Sequence, residues 1–249
     1  MTLQKLHILD EEAVVPFSSL PVTRFGKRGN DLSVQPAQPL SRDELRARLE
    51  RMSRGGQADD QAQPVAVPTG FAELDAALPG GGWPVGAITE LMPEAQGIGE
   101  LSLLMPALAQ LSRSGRYLAW IAPPCLPYPP ALAQHGLALE RLLLVQARDA
   151  RSVLWAAEQV LRCPAIGAVL AWPEALLDDR RVRRLQLAAE AGGSCGWLYR
   201  PPTAAREHSP AALRLKLKSI EGGLHVDIHK ARGRRAHALV VHPAAALCA

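Results

Sequence analysis

The residues that could carry chemistry lie at 88–101, where a strand-like apolar run, a glycine-bearing turn and a long apolar helical pattern follow one another. This order is the layout of a phosphate-binding loop (Walker A), which reads G-x-x-x-x-G-K-[ST]. In such a loop, backbone N–H groups cradle the phosphates, the Lys contacts the β and γ oxygens, and the hydroxyl holds Mg²⁺. The corresponding positions in this chain are Met92, Gly97, Ile98, Gly99 and Glu100.

Those positions lack the side chains that the chemistry requires. Ile98 stands in the Lys position, Gly99 offers no hydroxyl, Met92 replaces the first Gly, and Glu100 would repel phosphate. The segment can equally be an ordinary strand-to-helix connection, because a lone glycine motif is weak evidence for phosphate binding. We favour that interpretation, and we expect no bound cofactor and no turnover.

Composition narrows the class of protein. The chain has 249 residues, a formal net charge of +4 and four cysteines, which show no C-x-x-C pair and are typical of reduced thiols. His225, Asp227 and His229 share one strand face, which is more typical of a polar face than of a metal site, so we assign no metal. No apolar run approaches the roughly 20 residues that span a bilayer, and we expect a cytoplasmic protein without membrane contact.

Periodicity predicts two parts, an N-terminal extension at 1–63 with a short helix at 41–54, and a core domain at 64–249. Strand-like and helical runs alternate in the core, as expected of βαβ units and a parallel sheet. The predicted strands are 87–92, 117–122, 142–146, 165–172 and 195–199, and the predicted helices are 101–112, 150–162 and 179–191. The last third changes to period two, which predicts an antiparallel meander.

Residues 67–200 resemble the ATPase core of RecA recombinases. Within that superfamily the chain is most similar to ImuA, the RecA-related accessory protein family of bacterial mutagenic translesion DNA synthesis. Two stretches carry this match, Pro68-Thr69-Gly70-Phe71 and Gly80-Gly81-Gly82-Trp83-Pro84, together with the degenerate loop. The resemblance implies an α/β fold, namely a RecA-like P-loop NTPase core with a mostly parallel central sheet, helices on both faces and a C-terminal antiparallel β meander.

Compared with an active RecA, the chain lacks catalytic groups in four separate elements. Besides Ile98, Pro124 follows a strand where the resemblance places the Glu that activates water. Ala171 or Trp172 stands where Walker B ends in Asp, and Arg200 lies near the position of the nucleotide-sensing Gln. We therefore expect that the protein is not an enzyme.

The resemblance implies an adaptor that is produced after SOS induction. Its partners would be an ImuB-type Y-family-like protein, an error-prone DNA polymerase III alpha-type subunit and RecA, and the chain itself would form a homo-oligomer. Two alternatives stay open. One is an ATP-binding recombinase-type enzyme whose lysine comes from elsewhere, and the other is an SOS cell-division inhibitor of the SulA type.

Two groups of basic residues are candidate contacts for DNA or a partner. They are Arg180, Arg181, Arg183 and Arg184 at a helix start, and Lys216, Lys218, Lys230, Arg232, Arg234 and Arg235 on the meander. Such groups can neutralise phosphates without reading sequence, which would give weak, non-specific DNA binding. The alternative is a solvated helix face and a charged edge strand.

Overall fold

The computed structural model of the chain describes residues 13–16, 42–55, 66–147, 149–173, 177–231 and 237–243. Ser41, the predicted helix cap, and Arg232, Arg234 and Arg235 lie outside the described residues. Within these ranges no helix combines the length and the apolar character needed to cross a membrane.

A central sheet of nine strands organises the described part of the chain, and a two-stranded ribbon of β2 and β3 lies beside it. The strands are β1 (Ala13–Pro16), β2 (Ala66–Val67), β3 (Trp83–Pro84), β4 (Ala87–Pro93), β5 (Tyr117–Ile121), β6 (Leu142–Gln146), β7 (Ile166–Ala171), β8 (Cys195–Tyr199), β9 (Leu213–Ile220), β10 (Gly223–Ala231) and β11 (His237–Val241). The helices are α1 (Arg42–Gly55), α2 (Ala72–Ala77), α3 (Met105–Arg113), α4 (Pro129–Gln134), α5 (Ala150–Leu161) and α6 (Asp179–Gly192).

The central sheet is mixed, with the order β1-β6-β5-β7-β8-β4-β9-β10-β11. Strands β4 to β9 run parallel to one another. The strands at both ends of the order, β1 on one side and β10 and β11 on the other, pair antiparallel with their neighbours. Short hairpin connections such as the turn between β9 and β10 require antiparallel pairing.

The predicted RecA-like P-loop NTPase core with a mostly parallel central sheet is therefore wrong. The sheet is mixed, and the segment that follows β4 does not lead directly into a helix. Gly97 and Gly99 have φ values of 77° and 100°, a left-handed backbone that cannot continue a right-handed helix. Turns fill the interval, so α3 begins only at Met105 rather than near residue 101 as predicted.

Each face of the sheet buries its own apolar core. One core receives side chains from α2, α3 and α4 and includes Trp83, Trp120 and Trp197. The other receives side chains from α1, α5 and α6. Parallel strands that are covered on both faces consist of nearly continuous apolar residues, which explains why β7 is buried at every position.

Helices α5 and α6 pack closely enough to require glycine at their contact. A Cβ atom added at Gly192 would lie 2.0 Å from the carbonyl oxygen of Leu161, which no side chain can accommodate. Gln186 also ties α6 to the sheet, because its side chain accepts the Ile88 N–H at 2.9 Å and donates to the Gly86 carbonyl at 3.2 Å. Helix α6 is therefore held rigidly against the core.

The buried thiol of Cys195 on β8 predicts a loss of stability in alkali. Burial raises its pKa from 9.0 to about 12, so the folded state keeps a proton that the unfolded state releases. Stability from this group is complete below the unfolded pKa and falls by about 1.4 kcal/mol per pH unit as the pH rises toward the folded pKa. We expect the free energy of unfolding of Cys195→Ala, measured in urea, to lack this decline with pH. If the free energies of the variant and the native protein changed in parallel with pH, the prediction would be contradicted.

Candidate functional site at the strand ends

The loops that leave the carboxyl ends of β4, β5, β7 and β8 meet at one edge of the sheet, and we call this edge the strand-end surface. Parallel strands place their carboxyl ends together, and ligands of open α/β sheets bind there. The backbone joins neighbouring loops, since the Trp172 N–H donates to Ile121 and the Arg200 N–H donates to Leu91, at 3.2 and 2.8 Å. The strand-end positions singled out in the sequence therefore lie on one side of the molecule.

The turn after β4 satisfies its own backbone. The Glu100 carboxylate accepts the Gly97 N–H at 2.9 Å, so a side chain of the loop occupies the donor that a phosphate would need. Ile98 packs against the apolar core instead of reaching outward. Met92 is buried in β4 and contacts the Arg214 guanidinium through its sulfur at 4.0 Å.

The electrostatic environment beneath this turn is acidic. Burial raises the pKa of Tyr199 well above its usual value, and the nearby Glu100 carboxylate raises it further. The second carboxylate oxygen of Glu100 is buried without a hydrogen-bond partner among the described residues. A phosphate-binding loop presents a lysine at the position of Ile98, whereas this turn carries the Glu100 carboxylate two residues later, and like charges repel.

Aromatic rings fill the space at the ends of β5, β7 and β8. Trp172 follows Ala171 directly and stacks on Tyr199, with ring centroids 4.5 Å apart and an angle of 11° between the planes. Trp120 meets Trp172 edge to face at 6.1 Å. Where the resemblance places a metal-organising carboxylate, packed rings therefore take up the volume.

The connection after β5 is a proline-rich loop at 122–128, which we call the proline loop. Pro124 lies here, exposed to solvent. Ala122 begins the loop with φ 50°, a conformation that is rare outside glycine and that concentrates at functional sites. Leu126 and Tyr128 are 65% and 64% exposed, more than any other large apolar side chain of the described residues. Apolar periodicity did not predict this surface, although the prolines around Leu126 and Tyr128 could have indicated it.

A buried ionic network lies below the connection from β8 to β9. Glu90 in the middle of β4 is fully buried and pairs with two arginines, Arg200 at 2.9 Å and Arg214 at 2.6 Å. The Ser209 hydroxyl donates to the same carboxylate at 2.9 Å. Arg200 also pairs with Glu207 at 2.8 Å. Glu90, Arg200, Arg214 and Ser209 are all buried, so each depends on the others, whereas Glu207 lies partly exposed at the edge of the network.

The network organises the crossing loop at 201–212. The Arg214 guanidinium donates to the carbonyl oxygens of Ala204 and Glu207, at 2.6 and 2.8 Å. These bonds fasten the loop beside the face of β4 that carries Glu90 and Ile88, and Ile88 belongs to the same core as α5 and α6. Arg200, predicted as a degenerate nucleotide-sensing position, thus lies in a buried ion pair. Arg214 alternates along β9 with the leucines, on the same face as Lys216 and Lys218, but unlike Lys218 it is buried.

The remaining basic residues occupy two separate surfaces. Arg180, Arg181, Arg183 and Arg184 are all exposed on α6. On the meander, Lys218 is exposed, Lys216 pairs with Asp227 at 3.6 Å, and Lys230 donates to the Ser209 carbonyl at 2.6 Å. The crossing loop lies between the two surfaces. His229 bonds to the Ala205 carbonyl at 3.0 Å, so the suspected His-x-Asp-x-His face is engaged in packing and pairing.

Comparison with known proteins relates the segment that contains these strands to a described family. The model of the family described as "Cell division inhibitor SulA" matches residues 86–196. The SulA proteins of Yersinia pestis (strain Pestoides F) and Yersinia pseudotuberculosis serotype O:1b (strain IP 31758) are each 32% identical over 117 residues, which is 47% of this chain and 69% of each relative. The chain belongs to the SulA family.

The SulA match covers most of the parallel part of the sheet, without β9. It begins immediately before β4 and ends within β8, so it includes the turn after β4, the proline loop and α6. The crossing loop, the meander and the residues at 66–84 lie beyond it. The ion pairs of Glu90 with Arg200 and Arg214 therefore join the SulA-family segment to the chain that follows it.

Removing the shared carboxylate should destabilise the protein strongly. We expect Glu90→Ala to lower the free energy of unfolding by about 3–5 kcal/mol, because the buried Arg214 guanidinium loses its counterion and Arg200 keeps only Glu207. Glu50→Ala is the matched control, since the pair of Glu50 with Arg54 spans 3.9 Å on the surface and should contribute less than about 1 kcal/mol. Urea denaturation measures both, and equal losses would show that the network does not hold the loop.

Proposed function

We propose that the protein is a non-catalytic accessory protein of mutagenic translesion DNA synthesis that works by binding other proteins. The observation that carries the proposal is the Glu100 carboxylate on the Gly97 N–H, at 2.9 Å, in the place where a nucleotide-dependent relative would hold phosphate. With an acidic turn, no lysine and aromatic packing at the neighbouring strand ends, the strand-end surface is suited to protein contact rather than to phosphoryl transfer.

The segment ahead of the SulA match supports the translesion role. The Pro-Thr-Gly-Phe and Gly-Gly-Gly-Trp-Pro stretches, which carry the similarity to ImuA, lie at 68–84 and are part of the folded core. Leu74, Leu78 and Trp83 are completely buried there. Trp83 meets Trp197 of β8 edge to face at 5.7 Å, and the Thr69 N–H donates to the Asp75 carboxylate at 2.8 Å. An integral segment of this kind distinguishes the chain from the region shared with the SulA relatives.

The proposed partners are an ImuB-type Y-family-like protein and an error-prone DNA polymerase III alpha-type subunit, with RecA as a further partner after SOS induction. The proline loop is the proposed contact. Prolines restrict the backbone before binding, so little conformational entropy is lost when Leu126 and Tyr128 enter a partner pocket. Tyr and other large apolar residues are frequent energetic centres of protein interfaces.

A second candidate function is inhibition of cell division. The description of the matched family and the names of the Yersinia relatives favour it directly. Both candidate functions would act through protein binding and not through catalysis. They differ in the partner protein and in the effect on the cell.

Nucleotide assays test the non-catalytic part of the proposal. We expect the purified protein to show neither binding nor hydrolysis of Mg²⁺-ATP, with or without single-stranded DNA, beside an active RecA control. The expected reason is the missing positive charge at Ile98 and the carboxylate of Glu100. DNA-stimulated turnover would overturn this part and favour the recombinase-type alternative.

Variants of the proline loop test the partner-binding part. We expect Leu126→Ser/Tyr128→Ser to weaken binding to the purified ImuB-type partner by at least about ten-fold, since anchor residues contribute 2 kcal/mol or more. Val240→Ser on the edge strand β11 is the control, because Val240 is also an exposed apolar residue. The double variant should also fail to restore damage-induced mutation in a strain that lacks the gene, whereas the control restores it.

The outcome in cells separates the two candidate functions. We expect overproduction of the native chain to leave cell length unchanged. We also expect damage-induced mutation to require the gene. Filamentous cells, with no change in damage-induced mutation, would reject the translesion role and support division inhibition.

A further inference from the structure

Helix α6 carries one large apolar side chain, Leu187, on its solvent-facing side. Its inner face buries Val182, Leu185 and Ala189 against the sheet. Leu187 lies on the opposite face and is 49% exposed, although an amphipathic helix of a globular domain normally carries polar residues there. A single exposed leucine is common on protein surfaces, so its neighbours decide what it means.

Its neighbours toward the start of the helix are arginines, and on its other side Glu190 accepts a hydrogen bond from the Gln186 amide at 3.0 Å. Residues spaced three and four apart on a helix lie side by side, so Arg183 and Arg184 are adjacent to Leu187, and Arg180 is two turns away along the same stripe. We call these four residues the α6 stripe. Arg184 is partly neutralised, because it pairs with Glu158, which also binds Arg162 at 3.0 Å. Arg180 and Arg183 form no ion pair with any residue that the structure describes.

We propose that the α6 stripe docks an acidic segment of another protein that also presents an apolar side chain. Carboxylates of that segment would pair with Arg180 and Arg183, and its apolar residue would cover Leu187. This is the usual arrangement of a small interface, in which a central apolar contact is enclosed by charged groups that exclude water. The surface is separate from the proline loop and does not depend on the function proposed for that loop.

The rigidity of α6 favours binding. The Gln186 bonds to β4 and the Gly192 contact with α5 hold the helix before any partner arrives. Arg181 lies 3.9 Å from Asp178 and is not part of the α6 stripe. A preformed surface loses less entropy on association than a mobile one.

The residue types of the stripe argue for an acidic protein segment rather than single-stranded nucleic acid. Single-strand binders stack bases on aromatic rings, whereas the apolar member of the stripe is Leu187, which suits an apolar side chain of a protein. An open cavity adjoins the start of the helix, lined by Leu177, Asp178, Asp179, Glu207 and His208. Its carboxylates repel any polyanion, so the acidic segment would lie along the stripe beyond the helix start.

Fluorescence anisotropy with three labelled probes tests the inference on the full chain. The probes are a helical peptide of about 20 residues with Glu and Leu on one face, a peptide of the same charge with Ala in place of Leu, and oligo-dT. We expect the Glu-Leu peptide to bind, the Ala peptide to bind several-fold more weakly, and oligo-dT to show no saturable binding. Added salt should weaken the Glu-Leu peptide, because ion pairs at the surface are screened.

Charge-reversal variants assign the binding to α6. Arg180→Glu/Arg183→Glu should weaken the Glu-Leu peptide by at least about ten-fold, and Leu187→Ala by several-fold. Arg113→Glu on α3 is the matched control and should bind like the native chain, because it changes one exposed arginine on the other face of the sheet. Circular dichroism confirms that each variant is folded. The inference would be overturned if Arg113→Glu lost as much affinity for the Glu-Leu peptide as the double variant, or if neither peptide bound. It would also be overturned if oligo-dT bound more tightly than the peptide and the double variant abolished that binding.

Discussion

The buried carboxylate of Glu90 is the interaction on which the strand-end surface depends. It lies in the middle of a strand, without water, and binds Arg200, Arg214 and Ser209. Because each arginine also binds the crossing loop at Glu207 or Ala204, this single acidic group fixes where β8 ends, how the loop crosses β4, and where β9 joins the sheet. An apolar residue at the same place would fill the volume but would leave the buried Arg214 guanidinium without a counterion and Arg200 with Glu207 alone.

The network also explains how the SulA-family segment is extended into a larger domain. Strand β4 belongs to the matched region, whereas Arg200, Arg214 and the meander follow it. Ion pairs between the two are directional and depend on distance, so they select one register for β9 against β4. Apolar contacts of the meander then extend the core, because Leu213, Leu215 and Leu217 face the same side as Trp197 and Leu91. Polar specificity and apolar burial thus act on opposite faces of the same strand.

Packed side chains and exposed apolar side chains lie next to each other at the strand ends. The turn after β4 directs its carboxylate to its own backbone, and aromatic rings occupy the ends of β7 and β8. Meanwhile the loop after β5 projects Leu126 and Tyr128 into solvent. Both features use the geometry of parallel strands, which gathers several loops at one edge whatever side chains those loops carry. On this scaffold a surface for a protein needs only exposed anchors on a restrained backbone, whereas phosphoryl transfer needs several charged groups in register.

The sequence by itself determined the main strands, the three longest helices of the core and the missing lysine at Ile98, because apolar periodicity and residue identity are local properties. It did not determine the fold class, since alternation of strands and helices is shared by many sheets. Period two predicted the antiparallel meander at one edge, but no pattern indicated the antiparallel pairing of β1 at the other. Only the tertiary structure decided that Arg214 is buried, because period two describes the faces of a strand and not what covers them. It alone also decided that Glu90, an inconspicuous acid within an apolar run, is the centre of the network: its partners lie 110 and 124 residues away, and no local pattern joins residues so distant.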